Sequence, residues 1–269
     1  MTLKHTLLAL ALASVTLQAS AHRPWFYPHA TTVEAKEAWV TIDGAISDDL
    51  FEIDHQVLNL DAATVTDPDG ITAPIPAPIM GRQRSSFDLK MAKSGTYKIS
   101  LVTKTVMASY KDKASGEIKR FRGTEEAFAK DVPADSPELR ATVSHARLET
   151  FVTANRASSG ALKPSGVGLE MIPLTNPTDL RAGETARWRF QLDGKPLANA
   201  EFSLIPGGVR YRGVLGEIRL ATDAKGEASV TLPAAGMYWL NATAPKMAPD
   251  APPPARRYSY AATLEVLPE

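Results

Sequence analysis

Short runs in which apolar and polar side chains alternate, separated by turn signals, recur from residue 38 to the C-terminus. This period of two constrains the fold more than any other feature of the chain. Val40, Ile42 and Gly44 alternate with Trp39, Thr41 and Asp43, and Phe87, Leu89 and Met91 precede Tyr97, Ile99 and Leu101. Phe51, Ile53, His55 and Val57 read as one face of a further strand. In the second half the pattern runs through Trp188, Phe190 and Leu192, then Phe202 and Leu204, then Ile218 and Leu220. Val230 and Leu232, and Tyr238 and Leu240, complete it. Asp67-Pro68-Asp69-Gly70, Asp193-Gly194 and Asp223-Ala224-Lys225-Gly226 supply turns, and only Thr124–Lys130 reads as a helix. The pattern predicts an all-β chain of two antiparallel β-sandwiches, immunoglobulin-like or transthyretin-like, with a short mixed connector.

A weak repeat agrees with two similar units. Ser86-Phe87-Asp88-Leu89 followed by Gly95-Thr96-Tyr97 matches Ser229-Val230-Thr231-Leu232 followed by Gly236-Met237-Tyr238. Each copy reads as a strand, a glycine-bearing turn and an aromatic-bearing strand. The expected organisation is a signal peptide over 1–21, an N-terminal sandwich over 22–105, a connecting hairpin, helix and strand over 106–165, and a C-terminal sandwich over 166–269. A proline-rich insertion, residues 247–257, precedes the last strand.

The signal peptide rests on Lys4 and His5, the apolar run Thr6–Val15 and the small residues Ala19-Ser20-Ala21. The run is too short for a bilayer core of roughly 30 Å. Cleavage after Ala21 and a soluble periplasmic location are expected, with no membrane span.

Balanced charge, 30 Lys+Arg against 30 Asp+Glu, argues against a nucleic-acid-binding role. The absence of cysteine excludes disulfides, thiolate metal sites, a cysteine nucleophile and a lipidated cysteine anchor. Nitrogen and oxygen are left as the strong metal ligands, with methionine sulfur softer.

The second half carries a recognisable series: Gly168-Leu169-Glu170-Met171-Ile172-Pro173-Leu174, Leu180-Arg181-Ala182-Gly183-Glu184 and Leu192-Asp193-Gly194-Lys195-Pro196-Leu197. Pro233-Ala234-Ala235-Gly236-Met237-Tyr238-Trp239 and Tyr260-Ala261-Ala262-Thr263-Leu264-Glu265 extend it. In these motifs the chain resembles the periplasmic family catalogued as domain of unknown function 4198. The resemblance implies exported β-sandwich domains and a link to nickel or cobalt uptake, often beside TonB-dependent receptors. It carries no catalytic set. Members often begin their mature chain with His, an acidic residue and aromatics; here His22, Trp25, Phe26 and Tyr27 match, while Arg23 stands at the acidic position.

His22 is the sharpest chemical feature. As the first mature residue it would offer both an α-amine, with a pKa near ~8, and an imidazole Nδ1 to one metal. Such ligands suit Ni(II), Co(II), Cu(II) or Zn(II). A further histidine would complete an arrangement similar to that of periplasmic copper-resistance sandwiches and lytic polysaccharide monooxygenases, and His29, His55 and His145 are the candidates. His29 lies about 23 Å along an extended chain from His22, so the two meet only if the prolines bend the segment. His55 and His145 read more readily as hydrogen-bonded core histidines on inward strand faces than as ligands, and His29 as a loop histidine. Asp48, Asp49, Glu52 and Asp54 read as a solvated acidic edge, and Trp25-Phe26-Tyr27 as strand packing or, alternatively, a stacking platform. Basic residues at 111–122 are interleaved with acids and read as a solvated hairpin.

The Gly-x-Ser-x-Gly, His-Glu-x-x-His, phosphate-loop and dinucleotide motifs are absent, so no enzyme is expected. A copper-dependent oxidase, or a carbohydrate-binding module, is the minor alternative. The leading expectation is a periplasmic protein that binds one transition-metal ion or metal complex (Ni, Co or Cu) in support of uptake. The alternative is a metal-free adaptor binding a TonB-dependent receptor or other envelope protein.

Overall fold

Alternation in the sequence becomes alternation in burial. Ala38, Val40 and Ile42 turn into the core while Trp39 and Thr41 face solvent, and Phe87, Leu89 and Met91 are buried around exposed Asp88 and Lys90. The computed structural model describes residues 22–244 and 254–269; the expected signal peptide, and most of the expected proline-rich insertion, lie outside them.

In chain order the first strands are β1 (Arg23–Pro28), β2 (Thr32–Val33), β3 (Ala38–Ser47), β4 (Gln56–Val57) and β5 (Ala63–Thr66). Next come β6 (Thr72–Pro74), β7 (Ile79–Met80), β8 (Ser85–Met91), β9 (Gly95–Lys111) and β10 (Ile118–Gly123). The helix α1 (Glu125–Asp131) follows, where one was expected, with the Thr124 hydroxyl accepting from the Ala127 amide as N-cap. Then come β11 (Arg140–Ala154), β12 (Leu169–Pro173), β13 (Leu180–Arg181), β14 (Thr185–Leu192) and β15 (Lys195–Pro196). The chain closes with β16 (Glu201–Pro206), the helical turn α2 (Val209–Arg212), β17 (Ile218–Ala221), β18 (Glu227–Thr231), β19 (Gly236–Thr243) and β20 (Ala255–Leu267).

These strands make three sheets. A five-stranded sheet runs β1-β3-β8-β7 with β4 also on β3, and a four-stranded sheet runs β12-β14-β15 with β18 on β14. Between them lies an 11-stranded sheet with the path β17-β16-β19-β20-β11-β9-β5-β6. Most pairings are antiparallel, but β20 runs parallel to β11, and two short strands also pair in parallel, β2 on β11 and β13 on β20.

The large sheet serves both sandwiches, one on each face. Leu148 and Val152 of β11, Trp239 of β19 and Ala261 of β20 join the core beneath the five-stranded sheet. Phe151, Tyr238, Leu240, Tyr260 and Ala262, on the opposite parity of the same strands, join the core beneath the four-stranded sheet with Trp188 and Phe190.

The repeated motif is the corner by which the chain changes layers. β8 lies in the five-stranded sheet and β9 in the large one; β18 lies in the four-stranded sheet and β19 in the large one. Each crossing opens on a glycine of positive φ, Gly95 at +140° and Gly236 at +137°. Two residues on, a tyrosine hydroxyl donates to the carbonyl four residues upstream: Tyr97 to Lys93 at 3.0 Å and Tyr238 to Ala234 at 2.9 Å. This is the fixing device of a tyrosine corner.

One expected strand is absent. Phe51 takes a positive φ of 66°, Asp54 and His55 lie in a bend, and only Gln56–Val57 of that stretch is strand. Residues 48–55 therefore form a loop, and His55 is exposed rather than inward-facing.

Candidate metal centre

Strand pairing dictates which residues meet at the start of β1. β3 is flanked by β1 and β4, with Arg23 opposite Ser47 and Ile46 opposite Gln56. Continuing both registers by one residue sets His22 against Asp48 and His55 against Ser47, so the end of β3 gathers the three polar residues. The His22 Nδ1 lies 2.8 Å from the Asp48 Oδ1, and its ring stacks on that of His55 with centroids 3.8 Å apart and planes 12° apart. One ligand atom from each of His22, Asp48 and His55 falls within 4.8 Å of the others, and all three residues are exposed.

The backbone beneath this cluster is tied down. The Asp54 carboxylate accepts the amides of Asp48 at 3.2 Å and Asp49 at 3.0 Å, closing the loop on itself. The Trp25 indole donates to Ser47 Oγ, which donates to the Asp49 carbonyl. Arg23 donates to the Asp48 carbonyl at 2.6 Å. Across the sheets, the Trp239 indole donates to the Pro24 carbonyl at 2.9 Å, fixing the start of β1 against the large sheet. Two imidazoles and a carboxylate suit a transition-metal ion; calcium or magnesium would need more oxygen ligands.

Of the four candidate histidines, the structure brings His22 and His55 together. His29 stands at Asp43, its Nε2 3.1 Å from Oδ2. Arg84 at 3.1 Å and the Ser86 hydroxyl also bind Asp43, a carboxylate only 5% exposed, so His29 belongs to a polar cluster of its own. His145 is half-buried on β11, against Gly168 and 5.6 Å from the Tyr258 ring centroid. Burial, with the charges of Arg147 and Lys104, holds its pKa below the ordinary value, as for a packed strand histidine. Trp25 and Phe26 are buried between the sheets, which leaves Tyr27 the more open of the three aromatics.

Sequence reasoning missed Asp48, which reads as part of an acidic edge until the β1–β3 register is known. It missed also a cavity of about 640 Å³ that opens beside His22, between the start of β1, the loop at 56–59 and the face of the large sheet. A second cavity of similar size lies at Tyr27, His29 and Arg84. No helix among the described residues is long and apolar enough to cross a membrane.

A family model described as "Domain of unknown function (DUF4198)" matches residues 19–246. No curated protein matches the chain. Among solved structures, the D0-D1 domain of intimin is 14% identical, with 90% of this chain and 97% of that one covered and a TM-score of 0.23. A two-domain fibronectin type-III segment of chicken tenascin is 13% identical, with 90% and 99% covered and a TM-score of 0.25.

Proposed function

The chain belongs to the family described as a domain of unknown function, DUF4198, and from that footing we propose that its mature form is a periplasmic protein that binds one transition-metal ion, nickel, cobalt or copper, in support of uptake. The observation that carries this reading is the convergence of His22, Asp48 and His55 within 4.8 Å. Cleavage after Ala21 adds the α-amine of His22, which with its Nδ1 closes a six-membered chelate ring on the ion. Three nitrogens and one carboxylate oxygen are then gathered at the end of β3, and the stacked imidazoles swing apart so that both direct their in-plane lone pairs at the ion. The ion is cargo: exposed ligands let it enter and leave without opening the fold, as handover requires. A metal ion binds the unprotonated amine and imidazoles, so affinity falls as the pH is lowered.

Calorimetry on protein beginning at His22, titrated with NiCl₂ or CuSO₄, tests this. One equivalent is expected to bind. Acetylation of the His22 α-amine, or His55→Ala, is expected to weaken it at least tenfold, about 1.4 kcal/mol. Equal affinity with and without the free amine would overturn the chelate.

A further inference from the structure

We propose that the cargo is a metal chelate rather than a bare ion: the metal sits at His22, Asp48 and His55, and an uncharged organic ligand of the metal fills the adjoining cleft. The inference rests on the metal-centre reading above and adds the chemical class of what arrives there.

The cleft and the cluster share His22, which lines the mouth of the cavity while its Nδ1 bonds Asp48. A volume of about 640 Å³ is in the range of small-molecule pockets and far larger than an ion requires. Its floor is one face of the large sheet. Strand registers place Ser203, Asn241, Ala261, Leu148 and Leu101 in a single cross-strand row there. The row is apolar toward Leu101 and polar toward Ser203, and Ser259 and Ala146 form part of the next row.

Two features of that floor point to a ligand with hydrogen-bonding groups. Ser203, Asn241 and Ser259 line the cleft and make no side-chain hydrogen bond within the chain among the described residues, so their hydroxyl and amide groups are open to a ligand. The charged residues around the cleft are, by contrast, committed. Arg23 binds the Asp48 carbonyl, Glu217 pairs with Arg219 at 2.8 Å, and Arg147 binds Glu149, Ser165 and the Val167 carbonyl. Free amide and hydroxyl groups beside apolar side chains match an uncharged organic body with donors and acceptors on one edge. The anchor at Pro24, held by Trp239, keeps His22 over this floor, so metal and organic ligand are bound from one side each.

Calorimetry on protein beginning at His22 compares NiCl₂ with the 1:1 complex of Ni(II) and 2,2′-bipyridine-4,4′-dicarboxamide, an uncharged chelator whose outer edge carries amide donors and acceptors and which leaves coordination positions open to the protein. Wild type is expected to bind the complex at least tenfold more tightly than the ion. Ala146→Trp, which fills the cleft away from the metal ligands, is expected to abolish that preference while binding of the ion stays within twofold. Asn241→Ala, which deletes one cleft amide without adding bulk, is expected to reduce it severalfold. Equal affinity of wild type for ion and complex overturns the inference and leaves the metal centre standing, as does a preference that survives both substitutions. Failure of ion and complex alike to bind wild type overturns the metal-centre reading and this inference together.

Discussion

His145 separates a histidine that packs from one that is available to a ligand. It lies in β11 opposite Lys104, with Gly168 against its ring, and a Cβ at position 168 would collide with the imidazole. Burial first, then Arg147, Lys104 and Arg256, depresses its pKa below 6.5, with Asp193 opposing. The unfolded chain therefore takes up the proton first as pH falls. His145's contribution to stability is complete above the ordinary imidazole range and is lost as pH drops through its lower folded value. We expect His145→Asn to reduce the fall in Tm between pH 7 and pH 5, measured on metal-free protein; a fall as large as in wild type would contradict this. His22 and His55 are exposed, the first just before β1 and the second in a loop. Histidine at an alternating position reads the same in the sequence whether the strand continues or, as at Phe51, turns away through a positive φ.

At the level of elements, what could be read depended on how local the pairing was. The strand at Val40 and Ile42, the Asp67–Gly70 turn, the hairpin tip at 112–117 and α1 each carry their signal within a few residues, and each forms. The parallel pairing of β11 with β20 joins residues more than a hundred positions apart, and no local pattern encodes it. The repeat was legible as a motif, but its role as a layer-crossing corner was not. Both corners depend on one tyrosine hydroxyl. Tyr238→Phe removes a single bond to Ala234, whereas Tyr97→Phe removes the bond to the Lys93 carbonyl and orphans the Lys93 amide, which donates to the same hydroxyl at 2.7 Å. Urea unfolding should show a loss of about 1 kcal/mol for Tyr238→Phe and a larger one for Tyr97→Phe. The reverse order, or no loss at either, would remove the corners from the account of stability.

Taken as a whole molecule, the chain builds two sandwiches on opposite faces of one sheet, and His22, Asp48 and His55 meet at the end of β3, in the five-stranded sheet of the first sandwich. The two cores are tied by β11 and β20, whose alternate residues enter different cores. A buried network joins the same strands: Arg147 bonds Glu149 at 3.2 Å and faces Glu170 at 3.5 Å, and the Tyr260 hydroxyl donates to Glu149 at 2.8 Å. Burial pushes the Tyr260 pKa well up, with Glu149 adding to it, so the phenol stays a donor. The all-β class was legible because alternation is a property of each strand. The convergence of His22, Asp48 and His55 was not, because it is a property of two registers read together. The claim on which the account turns is that these residues, with the α-amine, bind one ion. EPR of the one-equivalent Cu(II) complex of protein beginning at His22 tests it most directly. Coupling to three protein nitrogens is predicted, the amine, the His22 imidazole and the His55 imidazole, falling to two in His55→Ala. An unchanged nitrogen count in His55→Ala, or in protein acetylated at the His22 α-amine, would contradict it.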